Sequence, residues 1–275
     1  MAKEISLIKK KIFRWIKVIV LLYCVLGITL YYLQDHILFH PASLEKNTKY
    51  NFNSLFNDIN IPYDNQTNLS IIQFRCSDSL TKGVVLYFHG NKKNISWYEK
   101  YASNFTKKGY EVWMIDYPGF GKSTGKFTEA RLYDYALQLY KLARTKYKPV
   151  NIIIYGKSMG TGIAAELAAV RDCRRLILET PYYSFQSLVK HYLPVYPVGR
   201  MLHYRLPTCD YLPLVTAPVT IFHGTDDGVV PYSNAQRLNQ FMKQNDEFVT
   251  IDKGSHNDLN NFSLFHRKLD SLLAL

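Results

Sequence analysis

Residues 151–170 read NIIIYGKSMGTGIAAELAAV, and this stretch decides the fold. A short apolar run comes first, a G-x-S-x-G pentapeptide follows at 156–160, and a run of small residues typical of a helix ends the stretch. The pentapeptide alone is a modest signal, because glycine and serine are common residues. A strand before it and a helix after it are the setting of a nucleophile elbow, a sharp turn that exposes Ser158. The alternative is a serine that merely caps the helix.

The rest of the chain alternates β-rich runs with amphipathic stretches, which predicts an α/β fold with a mostly parallel, doubly wound sheet. Several runs, such as VVLYF and RLILE, are apolar throughout, as expected of strands that are covered on both faces. The predicted strands are 70–75, 84–88, 111–116, 151–155, 175–179, 219–223 and 248–252. The predicted helices are 96–108, 128–147, 159–171, 233–245 and 262–274.

A serine hydroxyl is a weak nucleophile until a base takes its proton. His256, in the sequence GSHND, follows the last predicted strand and is the candidate base. His89 and His223 also follow strands, but each stands in a His-Gly pair at the strand end, where a structural role is favoured.

A carboxylate should orient the imidazole and stabilise its charged form. The sequence HGTDDGVVP at 223–231 offers Asp226 and Asp227 after a predicted strand, and Asp227 is preferred. The order serine, aspartate, histidine is the one expected after such an elbow. Glu179, at the end of the preceding strand, is an alternative acid, and Asp258 is interpreted as a solvated loop residue.

Two backbone N–H groups should stabilise the oxyanion that forms when the serine attacks a carbonyl. The amide of Met159, directly after the serine, is the first candidate. The amide of Asn91, in the sequence FHGN at 88–91, is the second, and Gly90 would permit close approach. The alternative for this loop is a simple glycine turn.

The N-terminal segment 18–33 is apolar and uncharged, and residues 1–17 form a basic tail. A length near 16 residues is slightly short for a membrane span, but Lys17 can snorkel. The bulky, polar residues after Leu33 disfavour a cleaved signal peptide, and the uniform hydrophobicity disfavours an amphipathic core helix. The segment is therefore predicted to be a transmembrane signal anchor with a cytoplasmic N-terminus and an extracytoplasmic folded domain.

The remaining chain divides into a polar linker at 34–59 and a folded domain at 60–275. Within the domain, residues 182–217 are rich in tyrosine and proline and interrupt the alternation of strands and helices. This section is predicted to be an insertion of short helical pieces that serves as a lid. Simple packing at the sheet edge is the alternative.

The net charge of +12 does not indicate nucleic-acid binding, because no run of five like charges and no nucleic-acid module occurs. The four cysteines, Cys24, Cys76, Cys173 and Cys209, match neither a metal site nor a dense disulfide framework. Free thiols are expected, although a Cys173–Cys209 bridge stays open if the domain lies outside the cytoplasm.

Together these motifs resemble the α/β-hydrolase family, and more narrowly its membrane-anchored lineage that includes depalmitoylating thioesterases. The matching stretches are FHGN at 88–91, DYPGFGKSTG at 116–125, GKSMG at 156–160, ETPYYS at 179–184, HGTDDGVVP at 223–231 and GSHND at 254–258. The resemblance implies a triad of Ser158, Asp227 and His256, an oxyanion hole at Asn91 and Met159, and structural roles for Asp116 and Gly121. The cysteine-rich, palmitoylated N-terminus of some relatives is replaced here by the apolar segment.

The expected reaction is hydrolysis of a carboxylic ester or thioester through an acyl-enzyme on Ser158, without a metal or organic cofactor. The expected substrate is a small-molecule or lipid-like acyl compound, and no nucleic acid or obligate protein partner is indicated. The alternatives are an amidase or serine peptidase on the same triad, an acyltransferase, and a catalytically silent scaffold.

Overall fold

The computed structural model describes residues 2–76 and 81–274, so residues 1, 77–80 and 275 of the predicted tail and domain lie outside the described part. The helices are α1 (Ala2–Leu38), α2 (Ile95–Tyr98), α3 (Ser103–Thr106), α4 (Glu129–Arg144), α5 (Gly160–Val170), α6 (Phe185–Tyr192), α7 (Val198–Met201), α8 (Thr208–Tyr211), α9 (Tyr232–Gln236) and α10 (Ser263–Ala274). The strands are β1 (His40–Pro41), β2 (Phe56–Pro62), β3 (Asn68–Phe74), β4 (Gly83–Phe88), β5 (Lys92–Lys93), β6 (Tyr110–Ile115), β7 (Ile152–Lys157), β8 (Arg175–Glu179), β9 (Val219–Gly224) and β10 (Glu247–Ile251). Turns of 3-10 helix cover Glu99–Tyr101, Pro149–Asn151, Leu212–Leu214, Arg237–Phe241 and Leu259–Asn261.

Eight strands form one sheet in the order β10-β9-β8-β7-β4-β6-β3-β2. The strands from β10 to β6 are parallel, whereas β3 runs antiparallel to β6 and β2 runs antiparallel to β3. The predicted α/β-hydrolase fold with a mostly parallel sheet is therefore confirmed. The carboxyl ends of β7, β8, β9 and β10 meet at one edge, which is where ligand sites of open parallel sheets form.

The central strands of the sheet are buried on both faces, and their sequences are largely apolar. In β4, Val84, Leu86 and Phe88 point into the core on one face, and Val85 and Tyr87 point into the core on the other. Successive side chains of a strand alternate between faces, so a strand between two layers must be apolar throughout. The helices α4 and α5 cover the first face, and α2, α3 and α10 cover the second.

The predicted helix over 128–147 is α4, which begins after Thr128. The Thr128 side chain accepts a hydrogen bond from the amide of Arg131 and so satisfies one unpaired donor of the first turn. The residues buried on its inner face are Leu132, Tyr135, Ala136, Leu139, Tyr140 and Ala143. This spacing is the near-3.6 periodicity on which the prediction rests.

The structure departs from the predicted elements at three places. The strand β2 begins inside the segment 34–59 that is predicted as a linker, and it adds an antiparallel edge to the sheet. The predicted helix 96–108 is broken into α2, a 3-10 turn and α3, and the predicted helix 233–245 is α9 followed by a 3-10 turn. The insertion at 182–217, by contrast, consists of short helical pieces as predicted, namely α6, α7, α8 and the 3-10 turn Leu212–Leu214.

The first helix extends well beyond the predicted span of 18–33 and continues to Leu38. Within the described residues, the part Glu4–Leu38 is long and apolar enough to cross a membrane. Its last turns contact the insertion, since the Tyr204 hydroxyl donates a hydrogen bond to the Asp35 carboxylate at 2.8 Å. The helix and the folded domain are therefore in direct contact.

Candidate active site

Ser158 lies in the sharp turn between β7 and α5 and has a φ of +51°. This left-handed conformation is rare for a residue with a Cβ and is expected only where the surroundings enforce it. A Cβ at Gly160 would lie 2.1 Å from the carbonyl oxygen of Phe88, and one at Gly156 would lie 2.5 Å from the carbonyl oxygen of Gly160. Both glycines of the pentapeptide are thus required by close backbone contacts, as a nucleophile elbow demands.

The three residues predicted as a triad come together at the carboxyl edge of the sheet. Ser158 Oγ lies 2.9 Å from His256 Nε2, and His256 Nδ1 lies 2.8 Å from Asp227 Oδ2. His256 follows β10 and Asp227 follows β9. The chain brings them together although 98 residues separate Ser158 from His256.

Asp227 is buried and receives donors on both of its oxygens. Its Oδ1 accepts the amides of Val229 and Val230 at 2.8 and 2.7 Å, and its Oδ2 faces His256. Burial alone would raise the pKa of Asp227, but the hydrogen bond and charge of His256 and the Val230 amide outweigh it and lower the pKa. A charged carboxylate can only accept, so Nδ1 carries the proton and Nε2 is left to accept the Ser158 hydroxyl.

The other two loop histidines are buried. His223 Nε2 lies 2.9 Å from the carbonyl oxygen of Val230, and burial lowers the pKa of His223. His89 Nδ1 contacts the carbonyl of Gly90 at 2.7 Å, and its Nε2 lies 3.3 Å from Asp116. Both rings support the loops that carry the site.

Asp116 accepts the amide of Ile95 at 3.0 Å and is fully buried. Burial raises the pKa of this carboxyl, although His89 and the Ile95 amide oppose the shift. A Cβ at Gly121 would lie 1.9 Å from Asp116 Oδ2, and Gly121 has a φ of +50°. These contacts fit the structural roles that the family resemblance implies for Asp116 and Gly121.

Glu179, the alternative acid, has other partners. Its carboxylate forms a buried ion pair with Lys157 and accepts the hydroxyl of Tyr155. The imidazole Nδ1 of His256 is instead bonded to Asp227. The geometry therefore favours Asp227 over Glu179.

The two predicted oxyanion donors flank Ser158. Met159 is buried at the start of α5, and its carbonyl is held by the Tyr182 hydroxyl at 2.9 Å. A Cβ at Gly90 would lie 3.5 Å from the Ser158 Cβ and 2.8 Å from the Tyr98 hydroxyl. The backbone before Asn91 therefore lies close to the nucleophile, and a side chain at Gly90 would meet the Tyr98 hydroxyl.

A cleft of about 400 Å³ opens above Ser158. Its lining includes residues that the sequence did not single out: Ile37, Leu38, Trp97, Phe185, Leu188, Val189 and Tyr192. Ile37 and Leu38 belong to the last turn of α1, and the Asn91 amide side chain donates to the Leu38 carbonyl at 2.6 Å. The N-terminal helix thus forms part of the wall of the site.

All four cysteines lie in the described part of the chain and are free. The bridge between Cys173 and Cys209 that the sequence left open is not formed. Burial raises the pKa of Cys173 to about 12 and that of Cys209 to about 11, which favours the protonated thiol in both.

The chain is similar in sequence to a hydrolase family model and to proteins named as alpha/beta hydrolases. Residues 79–209 match the family model described as serine aminopeptidase, S33. An alpha/beta hydrolase domain-containing protein 17C of Xenopus tropicalis is 29% identical over 205 residues, which cover 73% of this chain and 64% of that protein. The 17B protein of Homo sapiens is 28% identical over 205 residues, covering 73% of this chain and 69% of that one. The match thus spans about two thirds of the length of these relatives.

Solved structures of an esterase and a lipase are among those that share the fold. An esterase of Pyrococcus furiosus superposes with a TM-score of 0.67 at 18% identity, covering 86% of this chain and 97% of its own. A soluble variant of monoglyceride lipase from Saccharomyces cerevisiae, in complex with a substrate analog, gives 0.61 at 14% identity, covering 83% and 98%. At these identities the likeness establishes the architecture and leaves the substrate open.

Proposed function

We propose that this chain, which has the α/β-hydrolase fold, is a hydrolase that cleaves a carboxylic ester or thioester through an acyl-enzyme on Ser158. The observation that carries the proposal is the continuous chain of contacts from Ser158 Oγ through His256 to Asp227. This series of contacts has the geometry of a serine-based acyl-transfer site.

In the first half-reaction, Ser158 Oγ attacks the carbonyl carbon while its proton moves to His256 Nε2. The tetrahedral intermediate collapses as the same proton passes to the leaving alkoxide or thiolate, which departs as an alcohol or thiol. In the second half-reaction, His256 takes a proton from water as the water oxygen attacks the acyl carbon. The bond from this carbon to Ser158 Oγ then breaks, His256 returns the proton to Oγ, and the carboxylic acid leaves. Asp227 holds the ring and stabilises its charged form throughout.

The amides of Met159 and Asn91 are proposed to donate to the oxyanion. Each such donor typically contributes about 10²–10³ in rate because it is fixed before charge develops. The Gly90 backbone passes close to Ser158, which supports the Asn91 amide as the second donor.

The acyl group is proposed to be lipid-like. Phe185, Leu188 and Val189 line the cleft together with the end of α1 and offer an apolar surface beside the nucleophile. The resemblance of the sequence motifs to depalmitoylating thioesterases supports this proposal. Aliphatic chains gain affinity from such surfaces at about 0.8 kcal/mol per buried methylene.

We propose that α1 anchors the enzyme in a membrane as a single span. Basic residues precede the apolar stretch, which favours a cytoplasmic N-terminus and a catalytic domain on the opposite side. The full-length protein should resist extraction by alkaline carbonate, and a reporter fused to the C-terminus should be active outside the cytoplasm. Release into the soluble fraction would reject the anchor, and a cytoplasmic reporter would reject the orientation alone.

An amidase or peptidase is the second candidate, because residues 79–209 match a serine aminopeptidase family. Both activities share the tetrahedral intermediate, so the triad does not distinguish them.

The experiment compares an ester, a thioester and an anilide of one acyl chain, each at several chain lengths, with full-length protein in detergent. The proposal expects ester or thioester turnover that rises with chain length and little anilide cleavage. Ser158→Ala is the matched control for contaminating hydrolases. Faster turnover of short anilides would favour the peptidase.

A further inference from the structure

The second half of α1 packs against the insertion through a pair of tyrosines. The rings of Tyr23 and Tyr196 are stacked, with centroids 4.6 Å apart and an interplanar angle of 2°. The Tyr23 hydroxyl donates to the carbonyl of Val195 at 3.0 Å, and the Tyr196 hydroxyl donates to the carbonyl of Tyr23 at 3.1 Å. A Cβ at Gly27 would lie 3.0 Å from the Tyr196 ring, so a glycine there permits the close approach.

A second set of contacts fixes the helix one to two turns before its end. The Gln34 side chain donates to the carbonyl of Met201 at 3.2 Å and accepts the amide of His203 at 2.9 Å. Together with the tyrosine pair, these bonds hold the helix to the insertion from Tyr23 to Asp35.

The tyrosine contact lies deep within the apolar stretch of α1. No charged residue occurs between Lys17 and Asp35, which at 1.5 Å per residue lie about 27 Å apart along the helix. This length is close to the hydrocarbon thickness of a bilayer. Tyr23 lies about 9 Å along the helix from Lys17 and therefore within the hydrocarbon when α1 spans the membrane. Whatever contacts Tyr23 lies at the same depth.

The segment that contacts Tyr23 is uncharged, as a position within the hydrocarbon requires. Residues 193–198 read LPVYPV, without a charged side chain, and Val195 is 69% exposed. Irregular backbone within a membrane must have its polar groups satisfied inside the protein. The two prolines carry no N–H, the amides of Leu193, Tyr196 and Val198 donate within the protein, and each of the six carbonyls accepts a hydrogen bond. Only the amide of Val195, at the tip of the loop, has no partner among the described residues.

One cation takes part in this arrangement. The ammonium group of Lys190 donates to the carbonyls of Pro194 at 2.6 Å and Tyr196 at 3.1 Å. Its long side chain joins the tip of the loop to α6 and satisfies two carbonyls that lipid could not. Arg200, exposed on α7, can reach the lipid headgroups.

We propose that the loop 193–198 is embedded in the lipid leaflet beside α1, so that the catalytic cleft opens directly onto the hydrocarbon. A second, smaller cavity between α1 and the insertion is lined by Leu30, Ile37, Leu38, Val189, Leu193 and Met201. It shares Ile37, Leu38 and Val189 with the cleft above Ser158. An acyl chain that is already in the leaflet thus follows an apolar path to the nucleophile. The inference rests on the proposed anchor role of α1.

The test places an environment-sensitive NBD fluorophore on a cysteine at each of three positions with similar exposure. Leu21→Cys reports on α1, Val195→Cys on the loop, and Val150→Cys on a turn of the folded domain outside the insertion. The three side chains are 63%, 69% and 66% exposed, so none of the changes disturbs the core. The substitutions are made in a Cys24→Ser background, because Cys24 is exposed on α1 and would otherwise carry the fluorophore in every variant. The background protein, labelled in parallel, gives the signal of the remaining native thiols.

The labelled full-length proteins are reconstituted into phosphatidylcholine vesicles with and without lipid that carries a doxyl quencher midway along its acyl chain. The proposal expects loss of most of the fluorescence at positions 21 and 195 and little loss at position 150. Quenching at 21 with none at 195 would overturn the embedded loop while leaving the anchor intact. Quenching at neither position would overturn the anchor and the loop together, without bearing on the hydrolase activity.

Discussion

Lys157, the residue directly before Ser158, forms an ion pair with Glu179 in which the side chains are 2% and 1% exposed. Its ammonium also lies 3.4 Å from the carbonyl oxygen of His256, and the Glu179 carbonyl accepts the amide of Ser158 at 2.9 Å. The pair therefore joins the ends of β7 and β8 to the loop that carries the base. The ion pair supports the turn of Ser158 and the loop of His256, and it does not contact the Ser158 hydroxyl.

Glu179→Gln should destabilise the protein strongly, because it leaves the Lys157 charge buried without a partner. Breaking a buried pair on one side typically costs about 3–5 kcal/mol. The double variant Lys157→Met, Glu179→Leu should recover most of that loss, since no charge is then buried. Denaturant unfolding in detergent measures both. A single variant as stable as wild type would show that the pair does not contribute as described.

Asp227→Asn should lower kcat by about 10⁴-fold, the loss typical of a triad in which the acid no longer fixes the tautomer. Asp226→Asn is the neighbouring control, because Asp226 is exposed and its carboxylate contacts Thr225. The kcat of the two variants, measured as ester turnover at saturating substrate, shows which aspartate is the acid of the triad. If Asp226→Asn caused the large loss and Asp227→Asn did not, the assignment of the acid would be wrong.

Gly160→Ala should destabilise the elbow, because the added Cβ would meet the Phe88 carbonyl at 2.1 Å and only backbone movement could relieve the clash. Overpacking of this kind costs about 1–3 kcal/mol or more. Gly228→Ala is the matched control, since nothing lies within 4 Å of a Cβ there. Thermal unfolding should separate the two variants clearly, and equal melting temperatures would contradict the tight contact.

Glu166 on α5 should make stability depend on pH. Burial raises the pKa of this carboxyl to about 7, although Arg171 opposes the shift. A folded-state pKa above the unfolded value means that the folded protein binds the proton more tightly, so stability falls as pH rises from about 4.3 to 7.

Glu166→Gln should therefore leave the unfolding free energy at pH 4 unchanged and raise it at pH 8. Glu45→Gln, at an exposed position, should change neither value. Unfolding curves at the two pH values provide the check. An equal effect of Glu166→Gln at both would exclude a titration of this group.

The residues of the site could be predicted because each stands next to a recognisable strand. Ser158 follows β7, Asp227 follows β9 and His256 follows β10, and parallel strands bring their carboxyl ends to one edge. The contributions of Ile37 and Leu38 could not be predicted in the same way. They depend on where α1 docks, which is set by long-range contacts such as that between Tyr23 and Tyr196.

The edge strand β2 escaped prediction for a different reason. Its sequence FNDINIP is half polar, because one side faces solvent and Asp58 pairs with Lys122. Edge strands tolerate such polarity, whereas central strands do not. The continuous helix predicted over 96–108 is divided into short pieces, although Tyr98, Tyr101 and Phe105 are buried at the spacing of one helix face on which the prediction depends.

The most direct test of the central claim is labelling of the full-length protein with a fluorophosphonate, followed by peptide mass mapping. The account predicts one phosphonate adduct on the peptide that contains Ser158, and no adduct in Ser158→Ala. Labelling of Ser158→Ala to the same extent as wild type would contradict Ser158 as the nucleophile.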